Sequence, residues 1–299
     1  MNLVNLIQQF NSEAKCRAYI EHLRWPEGAV CPRCQSKEIY RLENRPLLLC
    51  SSCEHQFSVT VGTIFHDTHL QLEKWFLATI LLCESKKGMS ACQIQRSLGV
   101  SYKTAWYLCH RIRKAMQELS EPLGGQGQVV EIDETFLGGK THYRRTAKDS
   151  KDRKVKVFGM VERGGRVRLQ RVENLKAGTL GDIYKKNVSE NADRVVTDGA
   201  ATYSFFVPKD KHVPTNHKQE LWDTGTVSMK TIEGAFSLFK RGVIGSYHHL
   251  STDHLDPYLG EFCWRYNRRG IQPWMFGTLL RELVTKKPMT YRHLTREVF

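Results

Sequence analysis

Three acidic residues in the second half of the chain have the types and positions that suit a divalent metal site. Asp133 lies in the β-forming run VVEIDETFLGG, Asp198 follows the apolar run RVVT, and Glu233 lies near the start of the helix-like stretch KTIEGAFSLFKRG. An aspartate inside a strand is unfavourable unless it is paired or binds a cation. Carboxylates from two strands and a helix suit Mg²⁺ or Mn²⁺, which accept oxygen ligands. The set predicts two such ions about 4 Å apart, acting on a phosphodiester bond.

Each carboxylate also has a simpler interpretation. Either aspartate taken alone more often caps a helix or begins a turn, and Glu233 with Lys240 two turns later is typical of a solvated helix face. The combination favours the metal site, because ligand sites in α/β sheets gather at the ends of strands. The sequence contains neither a GxxxxGK[ST] phosphate loop nor a spacing typical of Cys–His or Ser–His–Asp catalysis. Hydrolysis of ATP is therefore not expected.

The elements that position these carboxylates follow from hydrophobic periodicity. After a linker-like stretch at 120–128, the pattern predicts three strands, a helix, a strand and a further helix, with a hairpin turn at Gly164 and Gly165. This order is typical of a mixed α/β fold, and from about residue 230 onward the chain is mostly helical. Alternation along the first strand places on one face Val129, Glu131 and Asp133, and on the other Val130, Ile132 and Glu134. Helical spacing predicts an apolar stripe of Ile232, Phe236, Phe239 and Val243.

A second candidate site is made of cysteines. The pairs CPRC at 31–34 and CSSC at 50–53 are separated by fifteen residues. Two such pairs can surround Zn²⁺ tetrahedrally at ~2.3 Å, and four sulfur ligands leave no open position for water, so this zinc would be structural. The alternatives are four unrelated buried cysteines, or His55 in place of one thiolate. The predicted zinc ligands are Cys31, Cys34, Cys50 and Cys53.

A helix-turn-helix is predicted between the cysteines and the strands. One helix runs from about residue 90 to 98 and ends at Gly99, and Ser101 then caps a second helix. The residues at the amino terminus of the second helix lie nearest the base edges in this motif. A plain helical hairpin that only packs is the alternative. The predicted DNA contacts are Ser101, Tyr102, Lys103 and Thr104, and the same helix also carries His110, Arg111 and Arg113.

The charge of the whole chain points to a polyanionic partner. Its 299 residues carry a formal net charge of +14, which favours nucleic acid or an acidic membrane surface as partner over a small neutral substrate. The longest apolar run, FLATILLC at 76–83, is far shorter than the ~20 residues of a membrane span. The amino terminus also lacks a basic leader pattern. We therefore expect a cytoplasmic protein with reduced thiols and no membrane partner.

Four runs of the chain resemble those of a known family: IDETFLGG, VVTDGAATY, TIEGAFSLFKRGVIGSYHHLS and EFCWRYNRR. They resemble the DDE transposases of bacterial insertion sequences, in the zinc-ribbon-bearing group related to Merlin elements with an ISXO2-like transposase domain. The resemblance covers nearly the whole chain. It implies a ribonuclease-H-like catalytic domain in which Asp133, Asp198 and Glu233 hold the metal ions. It also implies that Lys240, seven residues after the glutamate, contacts a DNA phosphate, with Arg241 as its neighbour and His217 as a secondary candidate.

This resemblance implies a DNA transposase. It would bind the terminal inverted repeats of its element, cut phosphodiester bonds with two Mg²⁺ or Mn²⁺ ions and join the 3′ ends to target DNA. Because two ends must be held together, we expect a homodimer or larger assembly at the bacterial nucleoid. The expected domains are a zinc ribbon with a leading helix at 1–70, a helix-turn-helix-like segment at 71–122 and the catalytic domain with a helical tail at 123–299. The alternatives are a metal-dependent nuclease and a DNA-binding regulator with a decayed catalytic domain.

Overall fold

A computed structural model describes residues 1–117, 121–138, 154–215, 228–248 and 250–296. The chain forms two compact units, Met1–Gln117 with Arg268–Phe299, and Glu118–Asn267. From residue 268 onward the tail therefore groups with the amino-terminal residues. The domain boundaries predicted at residues 70 and 122 remain predictions. None of the helices in the described ranges combines the length and the hydropathy that a membrane crossing requires.

The amino-terminal part of the first unit contains five helices and a small sheet. Three strands pair antiparallel in the order β1-β2-β3. The helices and strands are α1 (Leu3–Gln9), α2 (Glu13–Arg24), β1 (Ile39–Arg41), β2 (Leu48–Cys50), β3 (Gln56–Phe57), α3 (Leu72–Glu84), α4 (Ala91–Leu98) and α5 (Tyr102–Ala115).

The helix-turn-helix pattern is confirmed as a local structure. Helix α4 ends at Gly99, which has the left-handed φ of 61° that glycine adopts without strain. Helix α5 begins after Ser101, whose hydroxyl accepts a hydrogen bond from the Thr104 N–H at 3.1 Å. The turn between the helices is therefore set by the two residue types from which it was predicted.

The second unit is built on a five-stranded mixed sheet with strand order β6-β5-β4-β7-β8. Strands β4, β5 and β6 are antiparallel, whereas β7 runs parallel to β4 and β8 parallel to β7. The elements are β4 (Val129–Leu137), β5 (Val155–Glu162), β6 (Val167–Val172), α6 (Ala177–Asn187), β7 (Arg194–Thr197), β8 (His212–Pro214), α7 (Lys230–Gly242) and α8 (Leu255–Asn267).

The predicted order of strands and helices in this unit is confirmed, with one addition. The hairpin joins β5 to β6 through Gly164, at φ 72°, and the Gly165 N–H donates to the Glu162 carbonyl at 3.0 Å. The added element is β8, which pairs with β7 and was not predicted. It has three residues and ends in Pro214, and a strand that short and ending in proline gives no periodic signal.

The two faces of the sheet carry different helices, as the alternation along β4 predicts. Val130 and Ile132 belong to a core cluster with residues of α6. Val129 packs in a second cluster with α7 and α8. Glu131 and Asp133 share the face of Val129, so they point toward the side of the sheet that α7 covers.

The last two helices belong to the first unit. Helix α9 (Met275–Thr285) is followed by α10 (Tyr291–Arg296). Phe276 of α9 completes an aromatic cluster with Phe76, at a centroid separation of 5.8 Å, and Phe76 in turn contacts Phe10 at 4.9 Å. Burial of these rings explains why the tail groups with the amino-terminal helices.

A glycine in β5 allows α7 to approach the sheet. Gly159 pairs with Asp133 across the antiparallel register. A Cβ atom at this position would lie 2.6 Å from the Phe236 ring and 2.9 Å from the Ile232 side chain. The missing side chain therefore leaves the space into which the apolar stripe of α7 packs.

We predict that Gly159→Ala lowers the melting temperature, because the added methyl overlaps an aromatic ring in a close-packed core. The expected loss is about 1–3 kcal/mol in the free energy of unfolding. Gly234→Ala in α7 is the matched control, since a Cβ there meets nothing within 4 Å and alanine favours a helix. Equal melting temperatures for Gly159→Ala and the wild type would contradict the packing described here.

Candidate functional site

The register of the sheet sets the two aspartates side by side. The pairing of β4 with β7 joins Val129 to Arg194 and continues to Glu131 with Val196, always 65 positions apart. Asp133 and Asp198 differ by the same 65 positions. Neighbouring strands lie about 4.8 Å apart, so extending this register beyond the end of β7 brings Asp198 beside Asp133.

Asp198 also begins a turn, as its simpler interpretation predicts. Its Oδ1 accepts a hydrogen bond from the Ala200 N–H at 2.9 Å, and Gly199 follows with a φ of 79°. The preceding Thr197 is fully buried, and its hydroxyl lies 2.9 Å from the His212 Nε2. The turn is thus anchored to β8, and a carboxylate that accepts one such hydrogen bond has further lone pairs with which it can bind a ligand.

Glu233 lies on α7, beside the apolar stripe. Ile232, Phe236 and Phe239 are buried against the sheet, which confirms the stripe, whereas Glu233 is exposed. The helix that carries it contacts both β4 and β5. An exposed glutamate on a helix that packs over Asp133 is placed to extend the same acidic group.

The carboxylates around Asp133 raise its pKa. Burial raises it most, and the negative charges of Glu134, Asp198 and Glu233 raise it further, while the Glu134 N–H at 2.8 Å lowers it. The resulting pKa is about 7, against an ordinary 3.8. The structure therefore brings the three predicted carboxylates into one electrostatic cluster, in which like charges at close range oppose ionisation.

A cluster of this kind fits a divalent cation. Bound Mg²⁺ or Mn²⁺ would remove the repulsion between the carboxylates, since both ions take carboxylate oxygens and Mg²⁺ keeps several waters. Among the described residues, the four cysteines form the group of three or more possible metal ligands whose ligand atoms all lie within 4.8 Å of one another. The carboxylates are spaced more openly, which suits an ion that is bound partly through water.

Glu134 is a fourth carboxylate that the sequence did not reveal as part of the site. Burial raises its pKa, the hydrogen bond from the Tyr203 hydroxyl lowers it and the charge of Asp198 raises it. Burial raises the pKa of Tyr203, and the charge of Glu134 and the hydrogen bond to it raise that pKa further. The only signal in the sequence was the adjacency of Glu134 to Asp133, because Tyr203 lies 69 residues away.

The four cysteines form the predicted knuckles. Gln35 and Glu54, one residue after each pair, have left-handed φ angles of 64° and 54°. Each of these residues donates its N–H to the carbonyl of the first cysteine of its pair, at 3.0 Å for Gln35 and 2.9 Å for Glu54. Two tight turns with the same hydrogen bond therefore present the sulfur atoms.

The sulfur geometry fits a tetrahedral zinc ion. The Sγ atoms of Cys31 and Cys53 are 3.7 Å apart, and those of Cys34 and Cys50 are 3.5 Å apart. A tetrahedron with bonds of 2.3 Å has sulfur separations of about 3.8 Å. Four thiols at this spacing support structural Zn²⁺ as the resident metal. His55 instead stacks on Phe57 at 5.8 Å.

The surroundings of one of the four cysteines, Cys31, already favour its thiolate form. Burial raises the pKa of Cys31, but the backbone N–H groups of Cys34 and Arg33 and the neighbouring thiols lower it to about 6. At Cys53 the His55 N–H favours the thiolate, whereas burial and the other sulfur atoms raise the pKa to about 12. Zinc would take all four sulfur atoms as thiolates, because the thiolate is the metal ligand.

The predicted DNA contacts at the start of α5 have different surroundings. Ser101, Tyr102 and Lys103 are exposed and Thr104 is half-buried. The hydroxyls of Ser101 and Thr104 lie 2.9 Å apart at the helix cap, and the Lys103 ammonium lies 4.7 Å from the centroid of the Tyr291 ring. Tyr102 and Lys103 are thus the side chains of this turn most open to a nucleic acid.

The second half of α5 is buried. Arg111 donates to the carbonyl oxygens of Ile64 and His66, and Arg113 donates to that of Met89 at 3.2 Å. His110 is also buried, with its ring 4.4 Å from that of Trp106. These three basic residues therefore hold the helix in its unit and do not form a charged surface.

The remaining candidates lie on or near α7. Lys240 is half-buried and Arg241 is exposed, and Arg241 donates through Nε to the Ser237 carbonyl at 3.3 Å. Lys240 follows Glu233 by two helical turns and shares its side of α7. His217 lies outside the residues that the structure describes.

Known protein families match the segments in which the two candidate sites lie. Residues 122–267 match the ISXO2-like transposase domain, and residues 11–56 match the transposase zinc-ribbon domain. The chain is also similar to an uncharacterised protein in the transposable element ISH50 of Halobacterium salinarum, at 27% identity over 276 residues that cover 86% of this chain and 91% of that protein. The resemblance seen in the sequence is thereby confirmed, and each matched segment contains one candidate site.

We predict that Cys34→Ser removes the zinc. The wild type should contain about one zinc per chain by elemental analysis, and the variant much less, because a tetrahedral site loses one of its four ligands. Cys92→Ser is the control, since Cys92 is also exposed but lies on α4 away from the cluster. Full zinc content in Cys34→Ser would exclude this cluster as the site.

We predict that Asp133→Asn stabilises the protein without bound Mg²⁺ and removes its response to Mg²⁺. The folded protein without metal retains a proton up to a pKa of about 7, whereas the unfolded aspartate releases it near 3.8. Stability without metal therefore falls as the pH rises from about 4 to about 7 and stays low above that. At pH 8 without added Mg²⁺ or Mn²⁺, the free energy of unfolding of Asp133→Asn should exceed that of the wild type by about 1–3 kcal/mol.

Addition of Mg²⁺ should raise the melting temperature of the wild type and leave that of Asp133→Asn nearly unchanged, because only a binding-competent site gains stability from the ligand. Asp182→Asn is the control, because Asp182 is exposed on α6, and it should respond to Mg²⁺ like the wild type. An equal response of the wild type and Asp133→Asn would place the magnesium elsewhere.

Proposed function

We propose that the chain is a DNA transposase of the DDE type with Asp133, Asp198 and Glu233 as its metal ligands, because residues 122–267 match the ISXO2-like transposase domain. The observation that carries this proposal is the parallel register of β4 with β7, which brings Asp198 beside Asp133 on the sheet that the helix bearing Glu233 covers. The charges of Asp198 and Glu233 also raise the pKa of Asp133, and carboxylates gathered in this way are typical of a site that binds cations. The relative from the transposable element ISH50 supports the same function.

The residues of the site have separate tasks in this proposal. Bound Mg²⁺ or Mn²⁺ ions would activate a water or a 3′-hydroxyl and stabilise the leaving oxygen of the phosphodiester. Asp133 and Asp198 hold the ligand oxygens on neighbouring strands, and Glu233 adds a third carboxylate from the helix. Lys240 and Arg241 lie further along α7 and contact phosphates of the bound strand.

A ribonuclease-H-like scaffold for this site is supported by the strand order. Three antiparallel strands lie at one side of the sheet and two parallel strands at the other, with β4 in the centre. Helices cover both faces. The central strand carries Asp133, and the strand next to it leads into Asp198, so the catalytic group lies where the two halves of the sheet meet.

The first unit supplies DNA recognition in this proposal. The zinc ribbon at 11–56 matches a transposase domain, and the first turn of α5 exposes Tyr102 and Lys103. A net charge of +14 favours binding to the phosphate backbone. These elements bind the terminal inverted repeats, and a homodimer or larger assembly holds two ends together.

The test is a cleavage and joining assay on DNA that carries the sequences flanking the gene. The wild type should cut at the element ends in the presence of Mg²⁺ or Mn²⁺, and it should join pre-cut 3′ ends to a target plasmid. Asp198→Asn and Glu233→Gln should reduce both reactions to background while the affinity for the ends is retained, because these changes remove metal ligands and leave the first unit intact. Asp182→Asn should remain active.

Each alternative outcome identifies a rival. Cleavage without any joined product would favour a metal-dependent nuclease. Binding to the ends with no metal-dependent cleavage, and full biological activity in the Asp198→Asn variant, would favour a regulator with a decayed catalytic domain.

A further inference from the structure

We propose that Glu131 is a positioning residue, which sets Glu233 in place by holding the first turn of α7 to the central strand. This inference rests on the proposed function, since it concerns the assembly of the same metal site. Glu131 lies two residues before Asp133 on the same face of β4, and its side chain is fully buried. A buried carboxylate is retained only where charge and hydrogen bonds compensate for lost water.

Among the described residues, the donors around the Glu131 carboxylate lie at ordinary hydrogen-bond distances. The backbone N–H groups of Thr231 and Ile232 each donate to Oε2 at 2.9 Å. The Thr231 hydroxyl donates to Oε1 at 2.9 Å, and the Arg163 Nε donates to the same oxygen at 2.8 Å. Four donors on two oxygens compensate for the burial.

The carboxylate takes the role of a helix cap. Thr231 and Ile232 belong to the first turn of α7, where backbone N–H groups have no partner within the helix. The residue before the helix is Met229, whose side chain lacks the oxygen that Ser, Thr, Asp or Asn provides as a cap. Glu131 supplies that oxygen from the neighbouring strand, and its negative charge also interacts favourably with the amino terminus of the helix.

Arg163 also binds the segment that enters the first turn of α7. Its Nη2 donates to the Ser228 carbonyl at 2.6 Å, and its own backbone N–H donates to the Val129 carbonyl on β4 at 3.0 Å. The segment entering α7 is therefore bound from both sides to the strand pair β4 and β5. Glu233 follows Ile232 directly, so fixing these two amides fixes the position from which the Glu233 side chain reaches toward Asp133.

The sequence predicted the face of Glu131 but not this role. Its partners Thr231 and Ile232 lie 100 and 101 residues away, so no local pattern connects them. A second buried glutamate offers a matched comparison. Glu162 at the end of β5 is paired with Arg166 at 2.8 Å and accepts the Gly124 N–H at 2.7 Å.

The two glutamates share chemistry but differ in what they anchor. Both are buried or nearly so, both pair with an arginine and both accept backbone N–H groups. Among the described residues, the Glu162 carboxylate accepts hydrogen bonds from Gly124 and Arg166, which lie outside α7. A loss of general stability should follow from changing either residue, whereas a loss of the metal site should follow only from changing Glu131.

The experiment compares Glu131→Gln with Glu162→Gln in the full-length protein. Binding of Mn²⁺ is measured by the electron paramagnetic resonance signal of the free ion, and hydrogen–deuterium exchange is followed in peptides that span 228–242. We expect Glu131→Gln to weaken Mn²⁺ binding about 10-fold or more, as removal of a residue that orients metal ligands does. It should also accelerate exchange at the start of α7. Glu162→Gln should change neither property.

Thr231→Val provides a milder test if Glu131→Gln fails to fold, because it removes only the hydroxyl that donates to Glu131. It should weaken Mn²⁺ binding by a smaller factor in the same direction. Unchanged Mn²⁺ affinity together with faster exchange in α7 would overturn the positioning role and leave the proposed function standing. Absence of any Mn²⁺ binding by the wild type would instead overturn the proposed function and this inference with it.

Discussion

The buried carboxylate of Glu131 joins the central strand of the second unit to the helix that covers it. Its four hydrogen bonds connect β4 to the first turn of α7 and to Arg163. Gly159 allows the same helix to lie close to the sheet, since a side chain there would overlap Phe236. Capping at one end and close packing along the helix together fix where Glu233 lies relative to Asp133. The proposed metal site depends on this docking, because its third carboxylate lies on α7.

The proposed site is a place where the fold keeps like charges together. The charges of Glu134, Asp198 and Glu233 raise the cost of ionising Asp133, whose pKa is about 7. A globular protein gains no stability from such an arrangement, since charges of one sign repel most strongly where water is partly excluded. A divalent cation would turn the repulsion into binding energy. The formal net charge of +14 would favour binding of the polyanion on which the metal ions are proposed to act.

Local sequence patterns predicted the features that depend on neighbouring residues. The cysteine knuckles, the turn between α4 and α5, the hairpin at Gly164 and the apolar stripe of α7 each arise from residues within one or two turns of the chain. The parallel register that brings Asp198 beside Asp133 could not be read in this way, although both positions were identified from their place in or after a strand.

Long-range contacts were missed for the same reason. Glu131 with Thr231 and Glu134 with Tyr203 join residues about 70 to 100 positions apart. Basic residues on α5 also show the limit of a local pattern, since Arg111 and Arg113 are buried by contacts with distant carbonyl groups.

The most direct test of the metal site is anomalous diffraction at the manganese edge from crystals of the wild-type protein grown with Mn²⁺. We expect at least one manganese peak within bonding distance, about 2.2 Å, of oxygen atoms from Asp133 and Asp198. Glu233 should be bound to the metal directly or through water. Manganese bound elsewhere, with the Glu233 carboxylate directed into solvent and about 10 Å or more from both aspartates, would show that these three carboxylates do not form a metal site.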